Sequence, residues 1–378
     1  MRTLIVSDLH LGAGSDTDLL RWERFREPLL EAIADADRVI LLGDVIELRD
    51  RPLADALELA RPFFDVLAEG APGAEVVVVP GNHDHHLLEE WLVERRLRDA
   101  GPLGLEQTAE IADSGPLGAA ATALQGRISL AYPGLWVRPG VYATHGHYLD
   151  RHLTIPTFER LAVAAVERAL GPPADIRQDP LEAPSGPTDP EEYERAQAPV
   201  YAFLFALAQG ASAEGRTPGP SARIWAAMSG GATRAQKLRG WLLGSVAVPG
   251  AVGVANRLGL GPVKPDLSPD AISRAGIAAI DEVVTRLGIE ADHLIFGHTH
   301  RRGPLEDEPG WEAANGTKLL NSGSWVHMPG LLGKAPAANS AYWPGTVVEV
   351  DDEGPPRTRL LLEHLSRAEL APTRRLSD

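Results

Sequence analysis

An α/β fold with much parallel pairing is what this chain predicts, and two observations carry the expectation. Short runs rich in Val, Ile and Leu end abruptly in polar clusters, as buried strands do, and segments with helical spacing of apolar residues separate the first of them. That alternation is β-α-β order, which favours parallel strands joined by helical crossovers.

Taken in order, the runs at 4–6, 39–42 and 76–79 are expected strands. Residues 18–34 and 53–69 are the helices between them. Residues 85–100 are expected to form a third helix with Leu87, Leu88, Trp91, Leu92 and Leu97 on one face. A strand at 141–144 follows, and then the texture changes. Pro172, Pro173, Pro180, Pro184, Pro187 and Pro190 punctuate a polar stretch, followed by apolar and glycine-rich sequence to about 270. This reads as an insertion. A helix at 274–287 returns the chain to strands at 294–296 and 319–320 and to a hairpin-like pair at 346–350 and 357–363. The division expected is therefore a first core part at 1–151, a mostly helical insertion or lid at 152–275, a second core part at 276–366 and a tail at 367–378.

Composition narrows the function. With 378 residues and 44% apolar content the chain can bury a large core. The formal charge of −16 argues against general nucleic-acid binding, which depends on Lys and Arg neutralising phosphates. There is no cysteine, so disulfides and thiolate ligands are excluded and a metal would need His, Asp, Glu, Asn or backbone oxygen. Residues 1–8 run directly into a strand pattern without an apolar signal segment, so a cytoplasmic protein is expected.

The informative residues sit just beyond the strand ends. They are Asp8 and His10, then Gly43 and Asp44, then Gly81, Asn82, His83 and Asp84, then His145, Gly146 and His147, then Gly297, His298 and His300. An Asp or His after a strand is commonly a turn or cap residue. Five such clusters in order, all bearing oxygen or imidazole donors, are a different matter, because this edge is where open α/β sheets build their sites. Within Asp8-Leu9-His10 and His298-Thr299-His300 the donors are two apart, so in an extended segment they would project from one face. The adjacent glycines allow sharp turns and close approach.

The order Asp-x-His, Gly-Asp, Gly-Asn-His-Asp, His, Gly-His-x-His resembles the five-part signature of calcineurin-like metallophosphoesterases, over about residues 1–150 and 276–365. The resemblance implies a four-layer α-β-β-α sandwich of two mixed sheets flanked by helices. It implies two divalent metal ions, one held by Asp8, His10 and His300, the other by Asn82, His145 and His298, with Asp44 bridging. The sulfur-free N/O donor set suits Mn²⁺ first, then Fe or Zn²⁺. Two such ions about 3.5–4 Å apart trap a bridging hydroxide and clamp an in-line displacement at phosphorus. His83 would then stabilise the transition state or protonate the leaving alkoxide, with Asp84 orienting and charging its ring. Between His145 and His147 the residues alone do not choose; the resemblance favours His145. Glu47 is a candidate support for a ligand, and Arg49, Arg51, Arg301 and Arg302 flank the motifs where they could hold phosphate, exposed arginines being the default.

Residues 7–12 and 43–47 also resemble the branch containing UDP-2,3-diacylglucosamine pyrophosphatases. The chain departs from it in carrying His83 where that branch typically has Arg, and in its longer insertion. From 223 to 264 there are six basic residues and no acidic one, with an uncharged apolar stretch at 240–256 too short and broken to span a membrane. Such a segment suits an anionic lipid-like substrate or peripheral membrane contact, and equally an ordinary lid. The expected substrate is a phosphomonoester, phosphodiester or pyrophosphate, lipid-linked or small. A soluble nucleotide phosphodiesterase is the alternative, and a non-catalytic scaffold would show gaps among the donors where there are none.

Overall fold

The computed structural model describes residues 1–111, 114–170, 186–210, 253, 256–258, 261–266 and 268–371. The basic segment 223–264 and the tail beyond 371 lie almost entirely outside the described residues.

Each apolar run forms the strand its composition favours. Strands β1 (Thr3–Val6), β2 (Arg38–Leu42) and β3 (Glu75–Val79) are rich in Val, Ile and Leu and almost wholly buried, as strands covered on both faces must be. They pair in parallel. Helices α1 (Glu23–Ile33) and α2 (Leu53–Gly70) form the crossovers and bury Phe25, Leu29, Phe63 and Phe64 against Leu4, Val39 and Val76. The third expected helix begins as a 3-10 turn at His85–Leu88 and becomes α3 (Glu89–Leu97). The tighter turn shifts the phase of the apolar face, so Leu87 and Leu88 are buried whereas Leu97 is 83% exposed.

The sequence did not signal β4 (Glu106–Glu110), α4 (Gly118–Ala123) or β5 (Ile128–Arg138), yet β5 organises the sheet. Its first half pairs in parallel with β3, Val76 opposite Ile128 and Val78 opposite Leu130. Its second half pairs antiparallel with β6 (Val141–Thr144), Gly134 opposite Thr144. Parallel to β6 runs β7 (His293–Phe296), followed by β8 (Arg302–Gly303), β9 (Lys318–Ser322), β10 (Thr346–Val350) and β11 (Arg357–Leu360). The order is β11-β10-β1-β2-β3-β5-β6-β7-β9-β8, with β4 on β5. The fold is α/β with a large mixed sheet, but among the described residues hydrogen bonding joins the eleven strands into one sheet where two were expected, because β5 is long enough to belong to both halves. A cluster of Ile5, Ile40, Val77, Ala131, Val137, Ala143, Ile295 and Val348 contains strand residues alone.

Helices α5 (Phe158–Leu170) and α6 (Pro190–Gln209) come from the region expected to be the insertion and pack together through Val163, Val200, Tyr201 and Leu204. The Asp189 side chain caps α6 by accepting from Glu192 N, with Pro190 in the first turn, which explains how a proline-rich stretch opens a helix. Helix α7 (Pro269–Arg286) starts before the expected 274 because Ser268 caps it and Pro269 fits its first turn. It packs Ala279, Ile280 and Val283 on Leu294 and Phe296. Among the described residues no helix is long and apolar enough to cross a membrane.

His152 bonds to α6 beside this second core. Its Nε2 accepts from the Tyr193 hydroxyl at 2.6 Å, and burial, helped by the charges of Arg151, Arg286 and Arg160, lowers its pKa to about 3. The unfolded chain, with an ordinary His, binds the extra proton between those two values, so this stability is complete above about pH 6.5 and is lost as pH falls towards 3. Chemical denaturation at pH 6.5 and pH 5 should differ by up to about 2 kcal/mol from this residue, and His152→Gln should flatten that part of the slope. An equal slope in the variant would remove His152 as the cause.

Candidate metal centre

The register along β5 explains why distant segments meet. Strands β1, β2 and β3 run towards the level of Gly134 from one side, while β6 and β7 run towards it from the other. Their carboxyl ends therefore converge on one line. Backbone bonds lock the loops that follow: Asp8 N donates to Gly43 O at 3.0 Å, His10 N to Asp44 O at 2.8 Å and Gly297 N to His145 O at 2.9 Å.

All seven expected ligands come together. Asp8, His10, Asp44 and His300 form one group of potential donors, and Asp44, His145 and His298 form a second that shares the carboxylate. Three of the rings have one nitrogen committed outward. His10 Nδ1 bonds Glu47 Oε2 at 2.9 Å, His145 Nδ1 bonds Leu42 O at 3.1 Å and His298 Nε2 bonds Asp150 Oδ1 at 2.9 Å. Donation outward assigns those protons, so that each ring, when neutral, has its lone pair on the inward nitrogen. The inward atoms crowd: His10 Nε2 lies 3.1 Å from His300 Nε2, and Asn82 Oδ1 lies 3.2 Å from His145 Nε2 and 3.1 Å from His298 Nδ1. Asp44 Oδ2 is 3.3 Å from His145 Nε2 and 3.6 Å from His10 Nε2. Buried His300 Nδ1 has no hydrogen-bond partner among the described residues. Lone pairs converging on lone pairs fit divalent cations, which would be shared through Asp44.

The expected reason for the two-residue spacing needs correction. Asp8, His10, Asp44, His298 and His300 all have positive φ, between 46° and 67°, so these donors sit on left-handed residues and not on an extended segment. That conformation is uncommon outside glycine, and Asp and His tolerate it better than most. Gly43, at φ 82°, and Gly81 serve a spatial purpose: a Cβ on Gly43 would lie 2.1 Å from His145 Nδ1, and one on Gly81 would lie 2.4 Å from Asp44 Oδ1. They make room for the donors themselves.

Electrostatics follow the crowding. Burial opposes charge on His10 and His145, but Glu47 and Asp44 for the first, and Asp44 and Asp8 for the second, carry both pKa values up to about 9. Burial would also raise Asp44, yet His145, His83 and His10 hold it well below the usual carboxylate range. The acidic groups draw positive charge into the cluster.

His83 stands at the edge of the cluster, partly exposed, with its backbone N–H donating to Asp44 Oδ1 at 2.8 Å. The role expected for Asp84 is not the one its position allows. Its carboxylate accepts from the backbone of Gly81 and Val45, and the group on His83 Nδ1 is Glu47 Oε2 at 2.7 Å. Burial and the Asp44 charge push Asp84 up to about 6, and both its oxygens are engaged by backbone N–H groups, away from the His83 ring. Glu47 serves His10 and His83 with the same oxygen, and the two imidazoles hold it ionised despite its burial. Asp150, which anchors His298, carried no motif in the sequence. His147 lies behind the ligands, its ring 5.6 Å from that of His145 and its Nε2 3.1 Å from the Tyr132 hydroxyl. Of the flanking arginines, Arg51 donates to Ala13 O, Arg301 pairs with Glu308 and Arg302 donates to the carbonyls of Ser340 and Ala337. Arg49 is buried beside Asn82.

The model of the calcineurin-like phosphoesterase family matches residues 1–179, which contain every donor up to His145. Residues 1–179 belong to that family. His298 and His300, which complete the donor set, come from beyond the matched span. Among solved structures, a dimetal phosphatase from Danio rerio aligns with 92% of this chain and 95% of its own, at 12% identity and a TM-score of 0.30. No curated protein sequence matches.

Two substitutions probe the centre. Gly43→Ala should lower both the melting temperature and the metal content measured by plasma emission spectrometry, because the methyl group overlaps the His145 ring; normal values for both would mean that the ring has room to move. Glu47→Gln should weaken metal affinity by about 10- to 100-fold in chelator competition, since it removes the charge behind His10. Unaltered competition would confine Glu47 to His83.

Proposed function

We propose that the phosphoesterase works through a binuclear centre, with Asp8, His10 and His300 on one divalent ion, Asn82, His145 and His298 on the other, and Asp44 shared. The observation that carries this reading is the convergence of inward lone pairs whose opposite ring nitrogens are tied to Glu47, Leu42 O and Asp150. Two ions bound there would supply Lewis acidity at phosphorus and activated water for its attack; Mn²⁺ suits the donors best, then Fe or Zn²⁺.

The protein's own groups divide the remaining work. Asp44 accepts from the His83 backbone and so fixes the start of the loop that presents this ring. Glu47 holds His83 Nδ1 and so orients the ring, leaving Nε2 as the nitrogen that would pass a proton to the departing oxygen. Asp84 ties together the loops after β2 and β3, so its contribution is to hold Asp44 and Asn82 in register. We take the substrate to be a phosphorylated small molecule or a lipid-linked phosphoester, with peripheral membrane contact through 223–264; the charge pattern of that segment supports the lipid-linked choice.

Protein purified without chelator should contain two metal equivalents and, with Mn²⁺ supplied, hydrolyse at least one of a monoester, a diester and a nucleotide-linked lipid. Asp44→Ala should lose most of both metals and nearly all turnover. Full activity in Asp44→Ala, or fewer than two metals with no turnover in the parent, would sink the binuclear reading.

A further inference from the structure

Arg49 follows β2 on the loop that carries Asp44 and Glu47, and its backbone N–H donates to Glu47 Oε1 at 2.9 Å. Two helices hold its buried guanidinium. Nη1 lies 3.5 Å from Glu159 Oε1 on α5, and Cζ lies 5.1 Å from the centroid of the Tyr201 ring on α6. The Nε hydrogen has no acceptor among the described residues. Both Nη1 and Nη2 sit 3.1 Å from the outer atom of the Asn82 amide.

That contact poses a choice that the amide alone cannot resolve. With Asn82 Oδ1 turned inward to His145 Nε2 and His298 Nδ1, the atom facing Arg49 is Nδ2, so donors meet donors. With the amide reversed, its oxygen satisfies Arg49 while its nitrogen donates to Asp44 and the two imidazoles. The reversed amide suits a cluster without a cation. A cation needs Oδ1 inward, and then the guanidinium keeps its Glu159 partner at Nη1 while its Nη groups and Asn82 Nδ2 face each other, donor to donor. Buried donors set against donors are costly, and an oxyanion between them settles both in one step.

We infer that Arg49 and the Asn82 amide nitrogen form the seat of a phosphoryl oxygen, with Arg49 as a substrate-binding residue held by the insertion helices. The inference rests on the binuclear reading, which requires Asn82 Oδ1 inward. Arg49 reads the tetrahedral anion, which a monoester, a diester and free phosphate share. Its planar fork presents two hydrogens side by side, which an ammonium does not reproduce.

Inorganic phosphate is the probe, titrated calorimetrically into the full-length, Mn²⁺-loaded protein. Arg49→Ala should weaken phosphate binding about tenfold or more while keeping metal content and melting temperature, and it should lower kcat/KM on bis(p-nitrophenyl) phosphate. Added guanidinium at non-denaturing concentration should restore part of that rate. If Arg49→Ala does not fold, Arg49→Lys, which keeps the charge and loses the fork, should stay metal-loaded and bind phosphate more weakly. Unchanged phosphate affinity in a folded, metal-loaded variant overturns the inference. So does a loss that tracks metal content or melting and is not rescued by guanidinium, since Arg49 is then a strut for α5 and α6. Too few metals or no hydrolysis in the parent protein would instead count against the binuclear reading, because the phosphate titration compares parent and variant without needing turnover.

Discussion

Asp44 Oδ2 lies 3.3 Å from one inward imidazole nitrogen and 3.6 Å from another, and Asn82 Oδ1 lies within 3.2 Å of two. Such a collection of acceptors in a buried volume repels itself unless positive charge enters. The surrounding architecture holds the groups in place against that repulsion. Backbone bonds between the loops after β1 and β2, the Asp84 carboxylate across the loops after β2 and β3, and the outward anchors on three rings each remove a way for a donor to turn aside. Five donors on left-handed residues show the same constraint in the backbone.

What could be read in advance divides along a physical line. Strand cores such as Val76 to Val79 were legible because burial on both faces leaves a continuous apolar run, and the donors were legible because each follows such a run. Strand β5 was not: it carries Ser129, Tyr132, Pro133, Gly134 and Trp136, and its identity comes from pairing with β3, β4 and β6, not from its own pattern. Partnerships between side chains were legible only where they followed chain order. Asp84 is adjacent to His83 in sequence, but the two side chains point to different neighbours, and the carboxylate that reaches His83 belongs to Glu47. Asp150 gave no signal because nothing local marks a carboxylate that will meet a histidine on β7's loop.

Helices α5 and α6 are more closely bound to the core than a detachable lid would be. Glu194 on α6 accepts from the Tyr132 hydroxyl on β5 and from Tyr148 at 2.9 Å, and it bonds His85 Nε2 at 2.7 Å. His85 and His147 both contact the Tyr201 ring. This buried polar group is fully engaged, which favours one position of α6 over neighbouring ones. Residues of α6 therefore reach the side chains that back the metal ligands.

The long β5 has a mechanical consequence. The strands on its two sides supply different donors: Asp8, His10, Asp44 and Asn82 come from the β1–β3 side, His145, His298 and His300 from the β6–β7 side. Between those sides the sheet is stitched through a single strand. A cation gripped by residues of both would act as a cross-link, taking the part that a disulfide plays elsewhere in a chain that has no cysteine. Occupancy and cohesion would then be one property, and withdrawing the ion would loosen the seam as well as silence the chemistry.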